Sequence, residues 1–434
     1  MQKIIRVLKA LIPRRLSNLY HLANAILAVI YYRYPARDLT VIGITGTDGK
    51  TTTSFVTYQL LKAAGLKVSV ITSLGAIIDS SDVQPIGLHV TTPGPFLLQK
   101  LLSAARRSGS KFVVLETTSH GLDQHRVLGC NFAIGVVTNV TSEHLDYHGT
   151  FDNYLHAKAK LVRRTRYSLL NRDHEATYQR LAALASGKVI GYGTHPESEI
   201  RASNIQMDVA GMRFDVNVLP DTVATSFIGE FNIQNLLAAM GVAVVLGIRP
   251  EVILEALSQV NPPPGRLERI ELGQPFSVFV DFAHTPNSLE NLLKLLRSVA
   301  KQKLIVVFGC AGERDPNKRK PMGRIAAQYC DYTVITAEDP RTESLEEISQ
   351  EIASGCQEVG GIANQSYFCI GDRQEAINFA IRELAQPGDI VVTTGKAHEQ
   401  SMCFGTTEYP WDEFQAVRNA LSAFKQPSEP GSNE

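Results

Sequence analysis

Most features that would assign this sequence to a class at a glance are missing. Charge of one sign is absent, because 43 Lys and Arg offset 43 Asp and Glu in 434 residues. Such a balance produces no broad field for a polyanion, so nucleic acid is not an expected partner. Cysteine is sparse, with six scattered residues and no C-x-x-C pair. That spacing excludes a zinc ribbon and a disulfide framework, and leaves reduced thiols as the expectation. Long apolar runs are also lacking. The uncharged stretch LSNLYHLANAILAVIYY, residues 16 to 32, holds two Asn and a His and is marginal for a bilayer span. No small-residue cleavage site follows it, which argues against a secretory signal. There is no internal repeat. What is left, 44% apolar and 20% charged residues, is the balance of a soluble globular chain with two or three domains.

Two regions depart from that evenness. Residues 1–38 carry Lys3, Arg6, Lys9, Arg14, Arg15, Arg33 and Arg37 against the single acid Asp38. They read as one or two helices packed on the next domain, with a basic amphipathic segment resting on a membrane surface as the second reading. Residues 425–434 have a disordered composition. Between them, β-branched runs (LTVIGIT, KVSVIT, KFVVLE, AIGVVTNV, then FSVFVDFA, KLIVVFG, YTVIT, DIVVTTG) alternate with helical apolar spacing at 95–107, 151–164, 286–299 and 373–384. Alternation of this kind implies parallel sheets covered on both faces. The predicted fold is α/β: a central domain at 39–262 with a phosphate loop and a parallel sheet, then a Rossmann-like α/β domain at 263–424. The three prolines of NPPPGR mark the junction. Residues 200–228 read as antiparallel strands inserted before a helix near Asn232.

The chemistry gathers just after predicted strands, where α/β sheets bind ligands. In VIGITGTDGKTTTSF a buried strand meets a glycine turn and a helix opening at Lys50. The turn's N–H groups and the helix N-terminus make an anion site; Lys50 would neutralise phosphate charge and Thr51 would ligate Mg²⁺. A strict G-x-x-x-x-G-K-[ST] loop needs glycine at 44, where Ile44 stands. Glu116 ends another apolar strand, where a carboxylate is costly unless paired or bound to metal. Asn139, His144, Asp146 and His148 follow a third strand. A hard oxygen ligand plus a histidine nitrogen there suits a second divalent cation. Lys158 and Lys160, on the helix YLHAKAKLV, read from composition as solvated lysines.

The ordered set GTDGKTT, ETTSHGLDQHRV, TNVTSEHLDYHGTFDNYLHAKAKL, GEFNIQNLLAA, GRLERIE, VDFAHTPNSLENLL, VFGCAGERDPNKRKPMG, AEDPRTE and GKAHEQ resembles the Mur ligases, in particular their E-type branch. The resemblance runs from about residue 40 to 423. Family loops read G-x-x-G-T-[ND]-G-K-[TS], which Gly43, Gly46, Thr47, Gly49, Lys50 and Thr51 satisfy, so Ile44 is no defect; Asp48 stands where Asn is usual. The resemblance implies ATP and two Mg²⁺ sites, with Gly46, Thr47, Asp48, Gly49, Lys50, Thr51, Thr52 and Asn139 around the phosphates. It also implies Asn232 and Asn235 near adenine, and Asp281, His284, Asp372 and Arg373 at the ribose and phosphate side. Thr51, Glu116, His144 and a carbamylated Lys158 become magnesium-site residues, with Lys160 the alternative lysine. Thr91, Thr92, Thr118, Gln124 and Arg126 become contacts to a muramoyl-peptide, and Arg126 is well formed to grip a glutamate carboxylate. Asp339, Arg341, Gly395 and Glu399 become contacts to the incoming amine. Lys50, Lys158, Glu116, His144 and Arg126 form the implied catalytic set.

The implied reaction is ATP-dependent amide formation through an acyl phosphate: a diamino acid is joined to the D-Glu of UDP-N-acetylmuramoyl-L-Ala-D-Glu in peptidoglycan precursor synthesis. E-type ligases that take meso-diaminopimelate carry D-N-P-R. Here Glu338 and Asp339 replace the first two residues while Arg341 is kept, so diaminopimelate is favoured and L-lysine stands next. Ala397 replaces a usual glycine in GKAHE. E-type ligases also have an N-terminal domain that holds the UDP end, in place of which residues 1–38 stand, so a lipid-linked muropeptide acceptor is the alternative. A reading of another class is a nucleotide-gated binding protein without ligase chemistry. A monomer is expected, in the cytoplasm or peripheral to the membrane.

Overall fold

The computed structural model describes residues 14–78, 83–84, 86, 91–141 and 143–424, so the tail at 425–434 and the first thirteen residues lie outside the described residues. The chain divides after Asn261 into two compact units. Each is built on one sheet.

The first unit's sheet has strands β1 (Thr40–Thr45), β2 (Val68–Thr72), β3 (Gly75–Ile77), β4 (Phe112–Glu116), β5 (Phe132–Val137), β6 (Tyr167–Asn171), β7 (Lys188–Gly193), β8 (Ile200–Asp208), β9 (Gly211–Val216) and β10 (Val223–Thr225). Their order is β10-β9-β8-β7-β6-β5-β1-β4-β2-β3. The middle is parallel, while β2–β3, β8–β9 and β9–β10 pair antiparallel. The antiparallel expectation for 200–228 therefore holds. Continuous apolar runs such as Val41, Ile42 and Ile44 suit strands buried on both faces, and all three are buried. Helices Lys50–Ala63 and Glu230–Val245 pack on one face, sharing a core with Leu60, Leu61, Leu236 and Met240. Helix Pro95–Arg107 covers Val113 and Leu115 on the other. Because β1 lies between β4 and β5, the chain segments leaving these three strands converge on one end of the sheet.

Among the described residues, the N-terminal segment forms the α-helix Arg14–Tyr31 and a short 3-10 helix, Pro35–Asp38. The α-helix buries Ala25 and Ala28 and leaves Leu19, Tyr20, Ile26, Leu27, Ile30 and Tyr31 exposed. No helix among the described residues is long and apolar enough to cross a membrane.

The second unit's sheet runs β11-β12-β16-β13-β14-β15. Its strands are β11 (Glu268–Ile270), β12 (Ser277–Asp281), β13 (Leu304–Phe308), β14 (Tyr332–Ile335), β15 (Tyr367–Cys369) and β16 (Ile390–Thr394). All pairs are parallel except β11 with β12. A hairpin, β17 (Ser401–Phe404) and β18 (Thr407–Pro410), follows and was not predicted. The expected helix at 373–384 is α-helical to Phe379 and ends in a π turn, Ala380–Leu384.

Candidate active site

The loop after β1 is fastened to the segment after β5. Asn139 Oδ1 accepts from the backbone N–H of Thr47 (3.1 Å) and of Asp48 (2.8 Å), while Thr138 Oγ1 donates to Asp48 O (2.6 Å). Thr47 Oγ1 lies 3.0 Å from the Tyr154 hydroxyl and accepts from Thr141 N (3.0 Å). Two glycines make this close approach possible. A Cβ at Gly46 would sit 1.8 Å from Thr138 Oγ1, and Gly49 has φ +77 with Asn235 Oδ1 2.3 Å from where a Cβ would lie. Gly49 precedes helix Lys50–Ala63, whose first-turn N–H groups have no intrahelical acceptor and so face the loop as an anion site. Lys50 Nζ donates to Thr47 O within the loop, and Asp48 is exposed.

Asn232 and Asn235 lie under this loop rather than at an open face. Both are buried: Asn235 Oδ1 accepts from Thr53 Oγ1, its Nδ2 donates to Asn232 Oδ1, and Asn232 Nδ2 donates to Ile228 O. Their amides hold the start of the helix in place.

At the end of β4, Glu116 is 1% exposed. Its Oε1 accepts from Thr51 Oγ1 (3.0 Å) and its Oε2 from Ser73 N (2.9 Å), while Ser73 Oγ lies 3.0 Å from Thr51 Oγ1. Two hard oxygen donors thus meet beside the phosphate loop. Among the described residues no three His, Cys, Asp or Glu side chains converge to cage a metal unaided. Mg²⁺ commonly takes one or two protein oxygens and completes its shell with phosphate and water, so the Thr51 and Glu116 pair fits that ion. Lys158 is buried (1% exposed), with its Nζ donating to Gly46 O and lying 4.4 Å from the centre of the Tyr154 ring. Burial, and then the charge of Lys50, holds its amine well below the usual lysine range. Lys160 instead pairs with Asp123 (2.8 Å) and is 39% exposed.

One residue beyond Thr117 begins a second row. Thr92 Oγ1 donates to Glu116 O (3.3 Å), accepts from Thr118 N (2.9 Å) and lies 3.1 Å from Thr118 Oγ1. Thr118 caps the short helix Ser119–Asp123 by accepting from Gly121 N. Arg126 donates to Thr92 O (2.9 Å) and to Gln124 Oε1 through Nε (3.0 Å) and Nη2 (2.7 Å). Thr91 is half-buried beside Thr92. His144 has φ +54, is exposed, and meets His120 edge to face with ring centres 5.1 Å apart. His148 is buried, its Nε2 3.0 Å from Ser119 Oγ, and Tyr154 packs 5.2 Å from its ring. The side chain of Asp146 lies outside the described residues.

In the second unit, Asp281 ends β12 and accepts from Leu267 N (2.7 Å) and Ala283 N (2.8 Å). Desolvation raises its pKa. His284 Nδ1 lies 2.9 Å from Phe282 O, an acceptor, so Nδ1 carries the proton and Nε2 is the acceptor nitrogen. Burial lowers the pKa of this ring. Asp372 caps the helix that follows it. The expected nucleotide contact of Arg373 needs correcting: its guanidinium is wholly buried, pairs with Glu413 (2.7 Å) and donates to Ala337 O and Thr394 O. That group ties the ends of β14 and β16 to the last helix, with four of its five N–H donors engaged inside the fold. Asp339 (φ +45) accepts from Lys396 Nζ (2.9 Å) and Cys403 N (2.9 Å), and Lys396 also reaches Glu399 (2.8 Å). Arg341 has φ +55 and no side-chain ion pair among the described residues. Gly395 (φ +98) leaves room for Glu338, whose Oε2 would lie 2.2 Å from a Cβ there.

Residues 44–243 match the Mur ligase middle domain and 265–397 the Mur ligase glutamate ligase domain. A UDP-N-acetylmuramoyl-L-alanyl-D-glutamate–2,6-diaminopimelate ligase of Geobacillus thermodenitrificans (strain NG80-2) is 38% identical over 92% of this chain and 82% of its own. The chain belongs to the Mur ligase family. A UDP-N-acetylmuramyl-tripeptide synthetase of Roseiflexus sp. (strain RS-1) is 39% identical over the same shares of the two chains, 92% and 82%. The solved structure of a UDP-N-acetylmuramoyl-L-alanyl-D-glutamate–2,6-diaminopimelate ligase aligns with TM-score 0.68 and 31% identity over 89% of this chain and 79% of that one.

This Mur ligase is accordingly an ATP-dependent ligase. Three of its site residues escaped the sequence reading. Ser73 follows β2 and joins Thr51 and Glu116; Tyr154 links Thr47 to Lys158; Tyr147 accepts from Gln124 Nε2 (3.2 Å) and donates to Asp123 (3.1 Å). Only the strand-end position of Ser73, in VITS, was a usable signal.

Proposed function

We propose that this Mur ligase joins 2,6-diaminopimelate, in its meso form, to the D-Glu side-chain carboxylate of UDP-N-acetylmuramoyl-L-Ala-D-Glu. The observation that carries the reading is the double use of the end of β4. Glu116 faces Thr51 and the phosphate loop, while its own carbonyl leads through Thr92 to Arg126. This linkage supports a reading in which a nucleotide γ-phosphate and a carboxylate held by Arg126 would lie side by side. The carboxylate attacks the γ-phosphorus of ATP, ADP leaves, and an acyl phosphate forms; the amine then attacks the carbonyl carbon, loses a proton and expels phosphate. Both first reactants are anions, so Lys50 and the helix N-terminus serve by offsetting charge that grows in the transition state. Thr51 and Glu116 would hold Mg²⁺, with His144 and a carbamylated Lys158 as the further expected ligands, and the ion would supply additional charge neutralisation. A buried neutral amine is the form that adds to CO₂, losing a proton as the carbamate forms, so the environment of Lys158 supports its carbamylation in preference to Lys160.

The amine's identity is argued from Arg341. Asp339 looks hostile to a carboxylate at Arg341, but Lys396, which it shares with Glu399, and Cys403 N offset part of its charge, and Arg341 itself has no ion pair among the described residues. Arg341 is therefore open to the distal carboxylate of diaminopimelate, a group that lysine lacks. A panel of amines tested with UDP-N-acetylmuramoyl-L-Ala-D-Glu decides: phosphate release with meso-diaminopimelate is expected, and turnover with lysine alone would overturn the assignment. A lipid-linked acceptor is the second reading, favoured by the exposed apolar face of helix Arg14–Tyr31, which carries no charged residue from Asn18 to Tyr31. With Arg14, Arg15 and Arg33 at its ends, the helix is suited to lie on an anionic membrane surface.

A further inference from the structure

We infer that a cationic cleft between residues 122–132 and the end of helix Phe151–Val162 binds the diphosphate that links the muramoyl sugar to its carrier. The inference rests on the proposed acceptor, and it concerns residues that neither the phosphate loop nor the peptide row uses. The cleft has a volume of about 410 Å³ and is lined by His125, Asn131, Lys160, Arg163 and Arg164 among others. Lys160 is balanced by Asp123 (2.8 Å). Arg163 and Arg164 are exposed, and no ion pair holds either of them among the described residues. The cleft thus keeps two uncompensated guanidiniums, groups whose forked donors match phosphate oxygens. The surplus is felt by His125, whose pKa is lowered by burial first and by Lys160 and Arg164 as well.

Position gives the cleft its ligand. Asp123, which holds Lys160, also accepts from Tyr147, whose hydroxyl receives Gln124, which in turn receives Arg126. One side of the cleft is therefore the row proposed to hold the muramoyl-peptide. On the other side, Gly129 packs beneath helix Arg14–Tyr31, where an added Cβ would lie 2.8 Å from Val29 Cγ2. An acceptor with its reacting carboxylate at Arg126 has its sugar phosphate at the opposite end, and the cleft is the cationic surface joined to the Arg126 row through Gln124, Tyr147 and Asp123. A nucleoside diphosphate and a polyprenyl diphosphate present the same two phosphates, so the chemistry is shared and the carrier is left for the test.

The competing explanation is that arginines after a helix C-terminus merely complement its dipole. The double variant Arg163→Ala/Arg164→Ala separates the two. With a non-hydrolysable ATP analogue filling the phosphate loop, calorimetric titration of inorganic pyrophosphate is expected to show binding that weakens at least tenfold in the variant. The ratio of KM for UDP-N-acetylmuramoyl-L-Ala-D-Glu to KM for N-acetylmuramoyl-L-Ala-D-Glu, which lacks the diphosphate, is expected to rise by a similar factor. The same ratio for a polyprenyl-diphosphate-linked muropeptide in vesicles identifies the carrier by whichever substrate responds. Unchanged pyrophosphate affinity, or a lower Tm with no change in either ratio, would overturn the inference. If no acceptor is turned over by the wild type, the proposed function fails, and the pyrophosphate titration still decides the cleft.

Discussion

Glu338 carries a free-energy cost that pH can switch. It is 5% exposed, sits against Gly395, and its Oε2 has no hydrogen-bond partner among the described residues. Burial raises its pKa from 4.5 to about 7, against the opposing pull of Lys318, Arg373 and Lys396. The native state thus holds this proton more tightly than the unfolded chain does. Between about pH 4.5 and pH 7 the unfolded chain has lost the proton and the native state has kept it, so stability falls as pH rises and levels off above about pH 7. At about 1.4 kcal/mol per pH unit, the loss reaches roughly 3 kcal/mol. Glu338→Gln keeps the shape of the neutral acid and cannot ionise. It is expected to leave stability nearly unchanged at pH 5 and to raise it at pH 8 by roughly 1–3 kcal/mol, the lower end applying because three nearby cations lose an anion. For a unit of this size that is on the order of 3–9 °C in Tm, readable by scanning calorimetry of the second unit's transition at both pH values. Equal shifts at pH 5 and pH 8 would refute the reasoning, since a packing effect has no cause to depend on proton concentration.

Two further perturbations test the first unit. Lys158→Ala is expected to lower kcat by roughly 10²–10³, as loss of one charge-stabilising group does, with formate or acetate restoring part of it; Lys158→Met, which removes a buried amine, should lose activity without losing Tm, so that unfolding is not the cause. Gly49→Ala places a side chain at φ +77 with its Cβ 2.3 Å from Asn235 Oδ1; it is expected to cost roughly 1–3 kcal/mol of stability and to raise KM for ATP, and an unchanged KM would mean that the left-handed turn does not shape the phosphate site.

The parallel strands of the two sheets were legible because a strand buried on both faces must be apolar almost throughout, as Val41, Ile42 and Ile44 are. Three-residue edge strands such as β3, β11 and β15 offer too short a pattern to register. Within the site, legibility followed distance along the chain. The glycines and Lys50 were legible as a phosphate-type loop because one turn contains the whole device. Lys158 and Lys160 are two positions apart on one helix, hence on opposite faces, and composition cannot tell which face is buried. The contact of Lys158 with Tyr154, one helical turn earlier, and with Gly46 more than a hundred residues away separates them. Asp339 follows the same logic in the other unit. Read locally, an aspartate two residues from Arg341 is a competitor for any carboxylate the arginine would hold. Lys396, far along the chain, pairs with it as well as with Glu399 and so lessens the conflict. Such a charge is judged by its partner in space, and the same test assigns Arg373 to the fold, since it is wholly buried, its charge is paired with Glu413, and four of its five donors go to Glu413 and two backbone carbonyls.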